Sequence, residues 1–142
     1  MIDNGSPTER RPIVRRPGEG RVYDMGAVPA IFKADEAETD QMYSISEWWL
    51  DAHTKGPGAH THPDDDVLYV LAGTISVLAG TEWVEADARS FVLIPGGGTH
   101  TFDNRTGERA GFLSISAPGG FEQRMPGIAR WFIERSPAGS QV

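Results

Sequence analysis

The sequence predicts an all-β protein, an antiparallel jelly-roll β-barrel with one short helix near the C-terminus. Its 142 residues are the length of a single domain that can bury a sizeable core. The 17 glycines and 10 prolines recur at short intervals, and β-favouring segments lie between them, which is typical of many short strands joined by turns. Closing such strands into a barrel removes the exposed edges that would otherwise pair with other chains.

The chain is predicted to begin with an arm, residues 1–20, in which arginines are mixed with prolines. The prolines prevent a helix, and few apolar side chains are available for burial, so we expect a flexible arm or one ordered by a neighbouring chain. The barrel follows over residues 21–118. Its strands are expected at residues 21–25, 30–33, 41–52, 67–71, 75–78, 83–85, 91–94, 99–103 and 111–115.

Two features of this pattern indicate where apolar side chains are placed. Trp48 and Trp49 are adjacent in a strand and must point to opposite faces, so one can line the barrel while the other packs outside, on a partner subunit. Beyond residue 118 the strand pattern ends. Residues 119–142 are predicted to form a C-terminal segment in which 128–135 make a short helix with its apolar side on the barrel.

Three of the four histidines and one carboxylate form the candidate functional site. His60 and His62 are two residues apart, so on a strand both imidazoles face the same side. Asp66 follows a Pro-Asp turn that can fold the chain back beside them, and His100 follows a glycine-rich turn on a second strand. Three neutral imidazoles and one carboxylate suit a divalent transition metal better than calcium or magnesium. We therefore predict a metal site made of His60, His62, Asp66 and His100.

The other polar residues near these motifs have simpler interpretations. Asp64 and Asp65 are alternative carboxylate ligands, but a solvated turn explains them better. His53 is expected to be an ordinary hydrogen-bonding residue, and Asn104 to be a turn residue that closes its strand rather than a ligand.

The first histidine segment resembles the first motif of the cupin superfamily. That motif runs Gly, His-x-His, three or four residues, Glu, six residues, Gly. Here His60, His62, Asp66 and Gly73 reproduce the spacing of everything after the opening glycine, with aspartate in place of glutamate. The shorter side chain would require the metal to lie closer to its strand, or a water to bridge the difference.

The second segment resembles the second cupin motif, which runs Gly, five residues, Pro-x-Gly, two residues, His, three residues, Asn. Pro95, Gly97, His100 and Asn104 match it from the proline onward. Arg89 stands where its first glycine is expected. In the first motif, Thr54 stands where the opening glycine is expected, between the strand and Gly56. Both departures fall at turns, so they affect loop shape more than metal ligation.

The resemblance covers roughly residues 40 to 118 and implies a cupin barrel, a metal ion and a dimer. Small single-domain cupins similar in outline are quercetinase-like dioxygenases, in which the carboxylate corresponding to Asp66 can ligate the metal and accept a proton. We therefore expect a metal-dependent dioxygenase that acts on a small enolic or phenolic substrate, with Asp66 as the catalytic base and Fe, Mn, Ni, Zn or Cu as the ion. The alternatives are a non-catalytic binding or sensing cupin and a metal-assisted isomerase, epimerase or lyase.

Strand alternation predicts the character of the cavity beyond the metal. Phe102 shares the face of His100, and Leu68 and Val70 share that of Asp66, so the cavity should be apolar and aromatic and should suit an organic substrate.

Composition narrows the possible partners and location. A net charge of -7 argues against nonspecific binding to nucleic acid or anionic membranes. The absence of cysteine excludes disulfides, thiolate nucleophiles and sulfur metal ligands. The N-terminus lacks a charged and then apolar leader, and no apolar run approaches the ~20 residues of a membrane span, so we expect a soluble cytoplasmic protein. The unpaired tryptophan and the polar arm predict a homodimer.

Overall fold

The computed structural model describes residues 10–135 and confirms the predicted fold class, an antiparallel jelly roll with one short C-terminal helix. Its strands pair as two sheets that do not close into one continuous barrel, so the predicted closure is incomplete. The nine described strands are β1 (Arg21–Tyr23), β2 (Ala30–Ala34), β3 (Ser44–Leu50), β4 (Asp65–Ala72), β5 (Thr74–Ala79), β6 (Glu82–Asp87), β7 (Phe91–Ile94), β8 (His100–Asp103) and β9 (Ala110–Ala117).

The larger sheet has six strands in the order β1-β2-β3-β9-β4-β7, and the smaller has three in the order β6-β5-β8. Strand β9 lies between β3 and β4, so it joins the start of the domain to the strand that carries Asp66. Strand β8, which begins at His100, pairs with β5 at the edge of the smaller sheet. Asp66 and His100 therefore lie on strands of different sheets.

Strand β3 shows how alternation builds the core. Ser44, Ser46, Trp48 and Leu50 are buried, whereas the residues between them are partly exposed on the outer face. The Trp48 ring lies parallel to the Phe112 ring, with centroids 6.4 Å apart. The two tryptophans thus point to opposite faces as predicted, with Trp48 inside.

Trp49 packs on the outer face of the same sheet within its own chain. A Cβ atom at Gly111 would lie 2.3 Å from the indole, so only glycine leaves room for this ring. The Arg109 guanidinium lies 4.6 Å from the ring centroid on the exposed side. This position needs no partner subunit to cover the tryptophan.

The C-terminal helix α1 spans Met125–Arg135 and begins three residues before the predicted start. A single 3₁₀ turn, Phe121–Arg124, precedes it. Pro126 lies in the first turn of α1, where a missing N–H costs nothing because no carbonyl precedes it in the helix. Met125 and Phe132 are buried against the sheets, so the apolar side of the helix covers the domain as expected.

Glu122 connects this C-terminal turn to the larger sheet. One carboxylate oxygen accepts a hydrogen bond from Ser44 Oγ at 2.7 Å, and the other accepts one from the Glu36 backbone N–H at 3.0 Å. Burial alone raises the pKa of Glu122, but these hydrogen bonds outweigh it and the net pKa lies below its ordinary value. The 3₁₀ turn is therefore held in place by a charged group.

Residues 10–20 of the predicted arm contain no strand or helix and lie against the larger sheet. Arg15 donates to the Lys33 carbonyl at 2.6 Å and pairs with Glu38 at 2.8 Å. The part of the arm before residue 10 and the part of the C-terminal segment after residue 135 lie outside the described residues. Within residues 10–135, no helix is both long enough and apolar enough to cross a membrane.

Candidate metal centre

His60 and His100 meet through the backbone. They form an isolated antiparallel bridge with N–H to carbonyl distances of 3.1 and 3.0 Å. Their ring centroids are 4.4 Å apart, and the His62 ring lies 4.7 Å from that of His100. One ring nitrogen from each of the three histidines lies within 4.8 Å of the others. The fold thus brings together the three imidazoles that the motifs predicted.

The sequence pattern predicted that His60 and His62 lie on one strand, but His62 does not lie on a strand. It follows the single bridge at His60 in a loop that ends where β4 begins. The loop is held by the turn before β8, because the Gly97 N–H donates to the His62 carbonyl at 2.8 Å. A Cβ atom at Gly96 would lie 2.1 Å from the Pro63 carbonyl oxygen, so this contact requires glycine. The second motif therefore shapes the loop of the first.

Asp66 completes the cluster from the second residue of β4. Its Oδ2 atom lies 2.9 Å from His62 Nε2 and 3.0 Å from His100 Nε2. Ser116 on β9 donates a hydrogen bond to the other carboxylate oxygen at 3.0 Å. Asp66 is only 5% exposed. Asp66 Oδ2 is therefore within hydrogen-bonding distance of both imidazoles.

The other ring nitrogens show which histidine atoms face the centre. His60 Nδ1 lies 2.7 Å from the Gly58 carbonyl, and His100 Nδ1 lies 2.9 Å from the Gly98 carbonyl. A carbonyl only accepts, so each Nδ1 carries the proton, and Nε2 of the neutral ring holds a lone pair. Backbone carbonyls commonly fix metal-binding histidines in this tautomer.

The pKa values of these histidines move in opposite directions. Burial lowers the pKa of His100, but the hydrogen bond and charge of Asp66 outweigh it, so its pKa lies above the ordinary value. Burial also lowers the pKa of His60, and the neighbouring histidines reinforce that effect. His60 is therefore readily neutral, whereas His100 holds a proton more tightly while it faces the carboxylate alone.

These contacts fit a metal ion. Without a proton, His100 Nε2 and Asp66 Oδ2 would place two lone pairs 3.0 Å apart, so a cation must stabilise the contact. Two donors on one ion, each at about 2.1 Å and at right angles, would be about 3 Å apart. The donors available to an ion are His60, His62, His100, Asp64 and Asp66.

Asp64 differs from its predicted role as a solvated turn residue, because it is only 6% exposed. Its Oδ1 atom accepts a hydrogen bond from Arg124 at 2.9 Å and lies 3.1 Å from His62 Nδ1, although that nitrogen is not aligned for a hydrogen bond. Its Oδ2 atom is buried with no hydrogen-bond partner among the described residues. Asp65 is exposed as expected and accepts from the Gly96 N–H at 2.8 Å.

The remaining two predictions concern residues outside the cluster. Asn104 is buried in the turn after β8, where its amide donates to the carbonyls of Leu50, Asp51 and Glu108. His53 is exposed in a turn, where its backbone N–H donates to the Thr106 carbonyl. Neither belongs to the candidate metal cluster.

The cluster opens into a cavity of about 440 Å³. Leu68 and Phe102 line it as predicted, together with Trp48 and Phe112. Val70 is fully buried and is absent from the lining. The cavity is therefore apolar and aromatic on the side of the sheets.

The C-terminal segment forms a further wall of this cavity, which the sequence analysis missed. Its lining residues include Phe121, Arg124, Ile128, Trp131 and Phe132. The apolar spacing of the helix was visible in the sequence, but nothing in it indicated that the helix covers the metal site rather than another part of the barrel.

A family model described as Cupin domain matches residues 47–116, the stretch that holds both histidine segments. The chain contains a cupin domain. The match ends before the C-terminal segment, so the wall that Arg124 and the helix add to the cavity of this cupin lies outside the family model.

Solved structures agree with this assignment. This cupin is similar to an RmlC-like cupin from Shewanella frigidimarina, with a TM-score of 0.67, 14% identity, and coverage of 80% of this chain and 97% of the other. It is also similar to a predicted oxalate decarboxylase from Thermotoga maritima, with a TM-score of 0.66, 18% identity, and coverage of 75% of this chain and 99% of the other. A third similar structure is KdgF from Halomonas sp., with a TM-score of 0.63, 15% identity, and coverage of 76% of this chain and 94% of the other. At these identities the likeness supports the fold alone. No curated protein matches the chain.

Proposed function

We propose that this cupin is a metal-dependent dioxygenase that acts on a small enolic or phenolic organic substrate. The observation that carries the proposal is the position of the three histidines and Asp66 at one end of an apolar, aromatic cavity of about 440 Å³. Such a cavity can hold a flat organic molecule while its oxygen atoms reach the cluster. His60, His62, His100 and Asp66 would hold the ion.

The cavity walls position the substrate. The Phe102 ring packs edge to face against two other aromatic rings of the cavity wall. Its plane makes an angle of 66° with the ring of Trp48 and of 66° with the ring of Phe112. A planar substrate can pack on these rings, and its burial excludes water from the cluster. A bound redox-capable ion would supply Lewis acidity and electron transfer to dioxygen.

Asp66 is the proposed proton acceptor. Ser116 holds one carboxylate oxygen, and the other lies at the centre of the cluster between His62 and His100. A substrate hydroxyl that enters the cluster would lose its proton to this second oxygen. The resulting enolate or phenolate is more electron-rich and more easily oxidised than the neutral substrate. The same residue thus has two roles, ligand and base.

The test measures dioxygen uptake by protein purified without added metal, after its native ion has been identified. The substrates are a flavonol, a β-diketone and a catechol, each assayed under air and under nitrogen. We expect product only under air. Turnover under nitrogen would instead identify an isomerase or lyase, and binding of these compounds without any product would identify a sensing protein.

We also propose that the protein is a homodimer formed through the outer face of β4 and β7. Tyr69, Leu71, Phe91 and Leu93 lie there with 37, 38, 62 and 50% of their surface exposed. The register pairs Tyr69 with Phe91, so these side chains form one continuous apolar surface beside an open sheet edge. A second copy that covers this surface would remove it from water.

The cytoplasmic location stays a prediction.

A further inference from the structure

We propose that Arg124 binds an acidic group of the substrate, so that the substrate is an organic anion with one carboxylate and an apolar body. The inference deepens the proposed function and rests on the same cavity. It concerns a residue of the C-terminal segment that lies outside the two motifs and outside the family match.

Arg124 has the position that such a role requires. It is the last residue of the 3₁₀ turn before α1, and its side chain lines the cavity together with the histidines and Asp66. Among the described lining residues it is the one arginine or lysine, so it carries the one permanent positive charge. Its guanidinium carbon lies 5.3 Å from the centroid of the Phe121 ring, which forms a wall of the same cavity.

Asp64 anchors this arginine close to the metal cluster. Arg124 Nη2 donates to Asp64 Oδ1 at 2.9 Å, and the same oxygen lies 3.1 Å from the ring of His62. One carboxylate therefore separates the guanidinium from a predicted metal ligand. A substrate of a single aromatic ring can place an oxygen at the cluster and a carboxylate at Arg124.

Most of the hydrogen-bonding capacity of Arg124 is available to a ligand. A guanidinium has five N–H donors in a planar fork. Within the described part of the chain, the hydrogen bond to Asp64 is the one that this side chain donates. Its side chain is 39% exposed, at the border between the cavity and solvent. A carboxylate can accept a pair of parallel hydrogen bonds from such a fork.

The charges of the site also favour an anion. Asp64 and Asp66 contribute two negative charges and Arg124 one positive charge, so these three groups sum to -1. A divalent ion raises the total to +1, and a substrate with one carboxylate then makes it neutral. Because uncompensated charge is costly in an apolar cavity, the loaded site should prefer a monoanion to a neutral molecule.

A purely structural role predicts a different behaviour. If Arg124 served only to neutralise the buried Asp64, its loss would lower stability or metal affinity and would weaken the binding of charged and neutral ligands equally. Selective loss of affinity for the charged ligand is therefore the distinguishing observation.

The experiment compares 3,4-dihydroxybenzoate with its methyl ester, which keeps the phenolic ring and removes the charge. Calorimetry measures the affinity of each for the zinc-loaded protein, because zinc has no redox chemistry and turnover cannot interfere. We expect the wild type to bind the acid about 10- to 100-fold more tightly than the ester. Arg124→Gln should bring the ratio close to one, and Arg124→Lys should keep part of the preference.

Arg130→Gln is the matched control, since Arg130 is exposed on α1 and does not line the cavity. It should keep the wild-type ratio, and the zinc content of every variant shows that its metal site is intact. Equal affinity of the wild type for both compounds, or failure to bind either, would overturn the proposal without needing any variant. Unchanged selectivity in Arg124→Gln would also overturn it. Dioxygen uptake with other substrates would leave the proposed function standing in either case.

Discussion

His60 and His100 exchange two backbone hydrogen bonds, although they belong to separate motifs. This pairing places their imidazoles side by side, because paired residues on antiparallel segments project to the same face. The backbone pairing thus positions these two imidazoles of the cluster. Removing one imidazole should therefore weaken metal binding and leave the fold intact.

His62→Ala and His100→Ala test that expectation. Each variant should lose most of the bound metal while its circular dichroism spectrum stays that of a folded β protein. His53→Ala is the control, because His53 is exposed and lies outside the cluster, and it should keep full occupancy. Full metal occupancy in either of the first two variants would remove that histidine from the site.

Metal affinity should fall as the pH is lowered, because a protonated imidazole cannot ligate. Burial lowers the pKa of His100, but Asp66 outweighs it and raises the net pKa above the ordinary value, so the proton competes with the metal at and above about pH 6.5. Zinc titrations between pH 5 and 8 should show this loss. A flat profile would contradict three histidine ligands.

The same shift predicts the stability of the metal-free protein. The folded pKa of His100 lies above its unfolded value, so its ion pair with Asp66 stabilises the fold below about pH 6.5. This contribution is lost as the pH rises through the raised pKa. Asp66→Asn should abolish this part of the pH dependence in urea unfolding curves, whereas an unchanged dependence would assign it to other groups.

Asp66→Asn also tests the proposed base. The amide keeps an oxygen that can face the metal, but it cannot accept the substrate's proton. Turnover should therefore fall by about 100- to 10,000-fold while some metal remains. Asp66→Glu restores the more usual cupin residue and should retain metal if β4 shifts by about one methylene. Single-turnover assays with the metal content measured in each variant decide the matter. Wild-type turnover in the Asn variant would clear Asp66 of the base role.

Arg89 offers a prediction about stability. It stands where the second cupin motif is expected to have glycine, and its φ angle of 76° lies in the left-handed region that glycine adopts without strain. Its side chain is exposed and makes no hydrogen bond among the described residues. Arg89→Gly should therefore stabilise the fold by about 1 kcal/mol in chemical unfolding.

The neighbouring Ala88 supplies the control for that measurement. Ala88 is also exposed, but its φ angle is not positive. Ala88→Gly therefore only increases the conformational freedom of the unfolded chain, and it should not stabilise the fold. An equal gain in both variants would show that the conformation of Arg89 is not the cause.

The proposed dimer is tested on the outer face of β7. Phe91→Glu places a charge in the centre of the apolar surface and should give a monomer in light scattering at micromolar concentration, with an unchanged β spectrum. Val84→Glu introduces the same charge at a similarly exposed site on β6 of the other sheet and should leave the dimer intact. A monomeric wild type, or a Phe91→Glu variant that stays dimeric, would contradict this interface.

Local patterns were sufficient for much of the fold and part of the site. Alternation along β3 predicted that Trp48 and Trp49 face opposite ways, because side-chain direction in a strand depends only on neighbouring residues. The spacing within each motif likewise identified the three histidines and Asp66 that the structure brings into contact. These features depend on short stretches of sequence, so the sequence by itself determined them.

Other features depended on segments that are far apart in the chain. The Asp64–Arg124 hydrogen bond joins positions sixty residues apart, and it converts an apparent surface carboxylate into a buried one. Burial depends on what covers a residue, and the cover here is a C-terminal turn whose docking is set by Glu122, Ser44 and Glu36. The open sheets and the loop position of His62 arise in the same way. Only the tertiary structure decided them, because the energies of these contacts are gained when distant segments pack together and have no signature in either segment alone.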